Sequence, residues 1–489
     1  MASTTSATRE QLLRYLELFA AAFDELHSAV VKQAKVPTQY IGPHHDYPVM
    51  SKLDSGFPFF NETGFYRDSS PRDYVGMLRP RTLGGILGGY ARPEIGFPMG
   101  AELASFLRSH EIGKRLDLSR PIIDDIVSDH AIDALVGDAV ERYLHLYGLN
   151  APIIAKRRDA IIRPLVFGTI FQSLDLRLVV PIALTHFEVD HFPLTETTYI
   201  VRMPKKLQLG RAQISTRGSG AVRTVVGAAT HAFVSNGWTL EVDNIDQVRS
   251  SLRQSSSNVL DAIDSFFGAL RIVTGISTGY AQMLWAPKRW SLDYFCDLTP
   301  VYGTTLRRYP SEYDNYGWTG IGATVTAEQL KEVGRIYKAV VGSSSEAIRL
   351  ALNRLNGCLT RTDAADAILD GTIGLELLLG DDENQSLSYK LRLRAAALSI
   401  LHADPAYPAG EVATKVKRLY EARSAIVHGR RRKRSKKASE PTDTSNAKER
   451  LLASDLLRFV LNVLLTHPQY QDQPSKIDEG LLLRGDEMS

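Results

Sequence analysis

From about residue 326 onward, apolar residues return at helical spacing with few interruptions, and this constrains the fold more than any other feature of the chain. Leu330, Val333, Ile336, Tyr337 and Val340 mark one stripe, and Ile348, Ala351, Leu352 and Leu355 the next. Leu369, Ile373 and Leu377 mark another, and Leu387, Leu391, Arg394, Leu398 and Leu401 run at the same spacing. Further helices are predicted over Glu411 to His428 and Leu451 to Leu465. Successive helices that each carry one apolar face must bury those faces against one another, so an up-down bundle is expected.

Three charges interrupt these faces. At ~100° per residue, Val412, Val416, Leu419, Tyr420, Ile426 and Val427 share one stripe, and Arg423 falls near its centre. Lys417, Arg418 and Glu421 lie opposite. A guanidinium on a core-facing stripe is costly unless it is paired or held for use. His428 closes the same helix, and Gly429 follows where a left-handed C-cap would sit. Glu376 projects with Leu369 and Ile373, and Arg394 with Leu391 and Leu398. One reading is a buried ion-pair network in which Glu376 neutralises an arginine and whose loss damages folding. The other gives Arg423 and His428 a chemical role.

The ordered motifs of this region carry a family resemblance. They are Asp370-Gly-Thr-Ile-Gly-Leu-Glu-Leu-Leu-Leu379, Leu387-Ser-Tyr-Lys-Leu-Arg-Leu-Arg-Ala-Ala396 and Arg423-Ser-Ala-Ile-Val-His428-Gly429, followed by a last apolar helix. Over about residues 345–467 this series resembles the HEPN superfamily, and within it the Apea-like HEPN proteins. The resemblance implies a C-terminal helical bundle whose R-x4-H motifs meet across a homodimer to form a metal-independent ribonuclease site. Arg423 and His428 would then be catalytic, and Glu376, Arg394 and Ser424 would support the site or its buried polar network. An imidazole that titrates near neutrality can take a proton from a ribose 2′-hydroxyl or give one to a leaving 5′-oxygen. A guanidinium can stabilise the charge that develops on the phosphate oxygens. Many active members carry Asn, Asp or His directly after the arginine; this chain has Ser424, whose hydroxyl can still donate a hydrogen bond. Apea-like proteins are associated with antiviral defence of the anti-phage, abortive-infection type, through RNA cleavage. The alternative is a non-catalytic HEPN dimerisation or RNA-binding module.

Charge distribution adds to this. Arg430, Arg431, Arg432, Lys433, Arg434, Lys436 and Lys437 put seven cations in eight positions directly after the motif, although the net charge of the whole chain is only +3. The run reads either as an arm that binds RNA beside the site or as a solvated linker, or in a nucleated cell as a localisation tract.

The rest of the chain gives an α+β class, mainly α. Residues 1–165 read as a mainly helical region, a candidate sensor or regulator, with helices over Thr8 to Lys35, Met99 to His110, Pro121 to Leu135 and Asp138 to Tyr147. Residues 166–325 read as a small β-containing region with strands near Leu176–Leu184, Thr198–Met203 and Thr230–Val234 and a helix over 254–283. The HEPN bundle takes 326–470 and a flexible tail 471–489. Two cysteines, Cys296 and Cys358, exclude a disulfide scaffold and a zinc-finger framework and suit a reducing compartment. Charges interrupt any signal-peptide core near the N-terminus, and no apolar run reaches membrane-spanning length, so a cytoplasmic protein with no membrane contact is expected.

Other motifs carry less. Gly275-Ile-Ser-Thr-Gly279 satisfies G-x-S-x-G but follows a helical pattern, so it reads as a helix-ending turn rather than a nucleophile elbow. His186, Glu188 and Asp190 alternate on a strand and could hold a metal, or form an exposed polar face; His44-His45-Asp46 could likewise coordinate. Neither is taken as a site, and no metal or cofactor is expected. The glycine-rich stretches at 83–89 and 217–220 do not complete a nucleotide fingerprint.

Overall fold

A computed structural model describes residues 8–61, 71–78, 98–110, 112, 124–242, 245–254, 256–316, 323–381, 386–402, 405–428 and 442–482. The front of the chain is built from helices α1 (Arg9–Ala34), α2 (Pro98–Ser109), α3 (Asp124–Tyr147) and α4 (Ala155–Ile170). A Thr8–Gln11 capping box starts α1 where the sequence places it. Tyr15, Phe19, Phe23, Leu103, Val140, Tyr143 and Leu165 close the core between these helices. The two helices predicted between Pro121 and Tyr147 are one: α3 runs through Gly137, and Asp138 is not a cap. Its carboxylate instead accepts from the Tyr294 backbone N–H at 3.1 Å.

A short hairpin, β1 (Val49–Lys52) with β2 (Pro58–Asn61), precedes a six-stranded antiparallel sheet of order β5-β6-β7-β3-β8-β9. Its strands are β3 (Ser173–Pro181), β5 (His191–Pro193), β6 (Thr198–Arg202), β7 (His231–Glu241), β8 (Tyr280–Pro287) and β9 (Tyr302–Arg308). A parallel pair, β4 (Thr185–Phe187) and β10 (Ala323–Val325), lies apart. The expected strands correspond to β3, β6 and β7, but the helix expected over 254–283 ends early. It is α5 (Ser257–Thr274), stopped by Gly275 at φ 65°, and the following apolar run enters the sheet as β8.

The bundle follows as α6 (Ala327–Gly342), α7 (Glu346–Thr360), α8 (Ala364–Leu379), α9 (Leu387–Leu398), α10 (Ala409–Val427) and α11 (Thr442–Thr466). Thr326, Ser345 and Asp363 cap α6, α7 and α8 through their side chains. The division at 325/326 leaves no gap in packing: one apolar cluster runs from Leu176 and Phe233 through Phe266 to Tyr337, Leu355 and Leu457. The tail expected over 471–489 is folded through residue 482. Ile477 and Leu481 are buried, because the turn at Pro474–Ile477 folds back against α9. No helix among the described residues is long and apolar enough to cross a membrane.

One face of the bundle differs from expectation. On α8 the large apolar residues that are buried are Ile368, Leu375, Leu378 and Leu379, while Leu369, Ile373 and Leu377 are half-buried. Gly371 and Gly374 turn this helix: a Cβ on them would lie 2.7 Å from the Ala453 Cβ and 2.6 Å from the Leu457 Cδ2. Close approach of α11 on the glycine side moves Glu376 toward α10.

On β7, His231 is fully buried, with Nδ1 2.8 Å from the Thr230 hydroxyl and Nε2 3.1 Å from the Val189 carbonyl oxygen. Burial, helped by Arg202 and His186 and opposed by the Val189 carbonyl and Asp190, pulls its pKa from 6.5 down to about 4. Above pH 6.5 the imidazole is neutral in both folded and unfolded chains, so the stability is fully present. As pH falls from 6.5 to about 4 the unfolded chain takes the proton first, and stability is lost across that window by on the order of 3 kcal/mol. Urea midpoints of His231→Gln should therefore fall less steeply over this range than those of wild type. Parallel slopes would show that His231 is not the group responsible.

Candidate functional site

The buried face of α10 is Val412, Val416, Leu419 and Ala422, with Tyr420 and Ile426 partly covered. Val427 is 51% exposed, which moves the apolar stripe toward Val412 and Leu419 and puts Arg423 at its edge rather than its centre. The Arg423 side chain keeps 28% of its exposure. Its guanidinium carbon sits 5.6 Å above the Tyr420 ring, and its Nε lies 3.7 Å from the Glu376 Oε1 on α8. That distance makes an ion pair but is too long for a hydrogen bond, and the Glu376 oxygen is buried without another donor. Burial accordingly raises the Glu376 pKa, and Arg423 offsets only part of the rise.

His428 is the C-cap of α10. Its backbone N–H bonds to the Ser424 carbonyl at 3.1 Å, while the residue as a whole is exposed. Five residues on an α-helix turn by ~140° around the axis, so Arg423 and His428 leave α10 in different directions. Ser424 is half-buried beside Arg423.

Arg394 does not join this pair. Its Nη2 reaches Asp478 at 2.6 Å and Asp381 at 3.0 Å, its Nε reaches Asp478 at 3.0 Å, and its Nη1 donates to the Leu379 carbonyl at 2.8 Å. The inward charges thus form two separate arrangements rather than one network. Glu376–Arg423 is loose and part-exposed, whereas Arg394 is a saturated clamp that fixes the end of α8 and the folded-back tail. Arg394→Met should cost about 1–3 kcal/mol, because it leaves the Leu379 carbonyl without its donor beside a side chain only 5% exposed and releases Asp478 from the tail, while part-exposed Asp381 keeps Lys390. A lower urea midpoint with faster proteolysis after residue 470 is the expected result. An unchanged midpoint would show that the clamp is dispensable.

The basic run Arg430–Lys437 lies outside the described residues. His186, Glu188 and Asp190 are engaged separately and form no trio. The His186 ring stacks on Phe57 at 3.9 Å and bonds to the Ser55 carbonyl oxygen, Glu188 accepts from the Ala327 N–H at 2.9 Å, and Asp190 pairs with Arg202 at 2.5 Å. Gly275–Gly279 links a helix to a strand, the reverse of a nucleophile elbow.

Of His44-His45-Asp46, the last two are exposed. His44 instead meets residues far away in sequence: its Nε2 lies 3.0 Å from the Glu141 Oε1, which is also 2.7 Å from the His145 Nε2. Sequence reading passed over Glu141 and His145, although their spacing of four on a helix places both on one face. No family model, curated protein or solved structure matches this chain.

Proposed function

We propose that the chain is an Apea-like HEPN endoribonuclease that acts as a homodimer in the cytoplasm, in an anti-phage, abortive-infection type of defence. The observation that carries the reading is the state of Arg423. It is held on a bundle helix by a partner too distant to hydrogen-bond, part-exposed, and five residues before an exposed histidine that ends the same helix. A structural arginine in this bundle looks different, as the saturated contacts of Arg394 demonstrate.

In the proposed reaction, His428 of one protomer takes the proton from a ribose 2′-hydroxyl and the oxygen attacks the adjacent phosphorus. The P–O5′ bond breaks, and the second protomer's imidazole supplies the proton to the leaving oxygen. The products are a 2′,3′-cyclic phosphate and a 5′-hydroxyl. Arg423 from either chain stabilises the charge gathered on the non-bridging oxygens. The divergence of Arg423 and His428 around α10 favours a site completed by two chains. The basic run at 430–437 would hold the RNA, and the front of the chain would restrain or trigger the nuclease. The looseness of the Glu376–Arg423 pair is what separates this from a binding module, in which Arg423 would serve packing alone.

The test is incubation of the purified full chain with RNA in EDTA, followed by analysis of product ends. Cyclic phosphate ends support the reading. Ends carrying 3′-hydroxyls, or retention of RNA without cleavage at high protein concentration, would replace it with another nuclease chemistry or with the binding module.

A further inference from the structure

Four segments of the chain converge at the junction between the front helices and the sheet. They bring together two sets of ligand-bearing side chains that share His44: His44, His145 and Cys296 of the β8–β9 connection, and His44, Asp73 and Glu141, with Glu141 and His145 both on α3. One ligand atom each from His44, His145 and Cys296 lies within 4.8 Å of the other two, and the same holds for His44, Asp73 and Glu141. Cys296 is 2% and Glu141 6% exposed, so little water can screen the cluster.

The contacts of one atom bear on what fills it. The Glu141 Oε1 stands 3.0 Å from the His44 Nε2, 2.7 Å from the His145 Nε2 and 3.1 Å from the Tyr74 backbone N. As hydrogen bonds alone these are three donors on an oxygen with two lone pairs, and both imidazoles must carry their proton on the same ring position. An ion between the imidazoles removes two of the three donors. It leaves the carboxylate with its backbone donors, the Tyr74 N–H on Oε1 and the Val75 N–H at 2.8 Å on Oε2. The N···O separations are slightly shorter than the ~3.3 Å edge of a tetrahedron with ~2.0 Å bonds, so the carboxylate and imidazoles need only a small outward shift, whereas the Cys296 sulfur, within 4.8 Å of both imidazoles, has to draw in toward the carboxylate.

The surroundings hold these groups in place. Arg142, next to Glu141, donates from Nη1 to the carbonyl oxygens of Cys296 at 3.2 Å and Leu298 at 2.8 Å. Cys296 has φ 48°, a left-handed conformation that a non-glycine residue keeps only when its neighbours impose it. Asp73, 3.9 Å from the His44 Nε2, is turned to the Gly76 N–H at 2.7 Å and fits an outer position.

We propose that His44, His145 and Cys296, with the Glu141 carboxylate as fourth ligand, bind a zinc ion that fastens the front helices to the β8–β9 connection. Two imidazole nitrogens, one sulfur and one oxygen suit zinc and exclude magnesium or calcium, which take oxygen ligands. Four protein ligands leave no open position, so the ion is structural. The site uses one cysteine, so it falls outside any cysteine-rich finger pattern. It is also independent of the ribonuclease reading.

The experiment is elemental analysis of the full chain purified without chelator or metal-affinity resin, beside His145→Gln and Cys296→Ser. About one zinc per wild-type chain, with near none in His145→Gln, is the expected result. Exchange of wild type into cobalt(II) should add the visible bands of a tetrahedral ion and a sulfur-to-cobalt charge-transfer band that Cys296→Ser lacks. Should a variant fail to fold by circular dichroism, the wild-type cobalt spectrum decides alone. Wild type that holds no zinc either as purified or after dialysis against zinc, or a cobalt form without the sulfur band, would overturn the site and leave a histidine–carboxylate hydrogen-bond cluster.

Discussion

His428→Ala is expected to abolish RNA cleavage and leave the folded protein unchanged. The structural work of this residue is done by its backbone N–H, which closes the last turn of α10 on the Ser424 carbonyl and survives the substitution. An exposed side chain at such a position changes stability by no more than about 0.5 kcal/mol. Loss of a general acid–base should instead cost about 10²–10⁴ in rate, and more where both protomers contribute an imidazole. Arg423→Ala supplies the comparison. It removes the partner of the buried Glu376 oxygen, but the pair is loose at 3.7 Å, and the carboxyl, whose pKa burial already raises, can take a proton once Arg423 is gone, so the cost is about 1 kcal/mol. Both variants should therefore melt close to wild type, and neither should cleave. A binding module predicts the opposite for His428→Ala, namely full function. Cleavage by that variant at the wild-type rate would remove His428 from the mechanism. Where a structural zinc is present, EDTA acts on the fold rather than on the chemistry, so circular dichroism of the treated protein must accompany the assay.

What could be read from the sequence follows from the range of the interactions. The bundle helices were legible because a 3.6-residue period is a local signal, and α6 buries Leu330, Val333, Ile336, Tyr337 and Val340 as that period requires. Strands β3, β6 and β7 declare themselves through β-branched and aromatic residues. The strand β8 was hidden because Tyr280–Trp285 continues the apolar character of α5, and only the left-handed turn at Gly275 separates them. The azimuth of α8 was not legible, since it depends on which neighbour meets Gly371 and Gly374. Arg423 sits off the stripe centre for a related reason: Ala422 is buried in the core and Tyr420 only partly covered, while Val427 is exposed. The His44 cluster lay furthest from view. Its members are about 30 to 250 positions apart except for Glu141 and His145, and no local rule joins such residues.

Arg211→Met is expected to be among the most destabilising single substitutions outside the apolar core. Arg211 is completely buried, and its partners are neutral oxygens. The guanidinium donates to the carbonyls of Val226 at 2.5 Å, Gly227 at 2.8 Å and Ala229 at 3.3 Å, and to the side-chain oxygens of Gln208 at 2.7 Å and Gln282 at 2.9 Å. The three carbonyls lie at the end of the short helical turn Arg223–Gly227 and in the link from it to β7, outside the sheet ladder; Arg211 donates to all three and is joined by the Ala229 N–H on Gly227 and the Gln208 amide on Ala229. Gln282 on β8 returns a hydrogen bond to the Arg211 carbonyl at 2.9 Å, which locks the turn to the sheet. Methionine fills much of the volume but supplies no donor, so the Val226 carbonyl and the side-chain oxygens of Gln208 and Gln282 lose their partner at about 1–3 kcal/mol each, while Gly227 keeps the Ala229 N–H and Ala229 keeps the Gln208 amide. Even with relaxation and water entry, a loss of about 4 kcal/mol or more is expected, a large share of the 5–15 kcal/mol typical of a folded domain. Lysine restores the charge and three donors but not the planar fork, and should recover only part of the loss. Urea midpoints for the three proteins test this order. If Arg211→Met matches wild type, the turn is held by its apolar neighbours Val225 and Val226 instead, and the hydrogen bonds of Arg211 are incidental to stability.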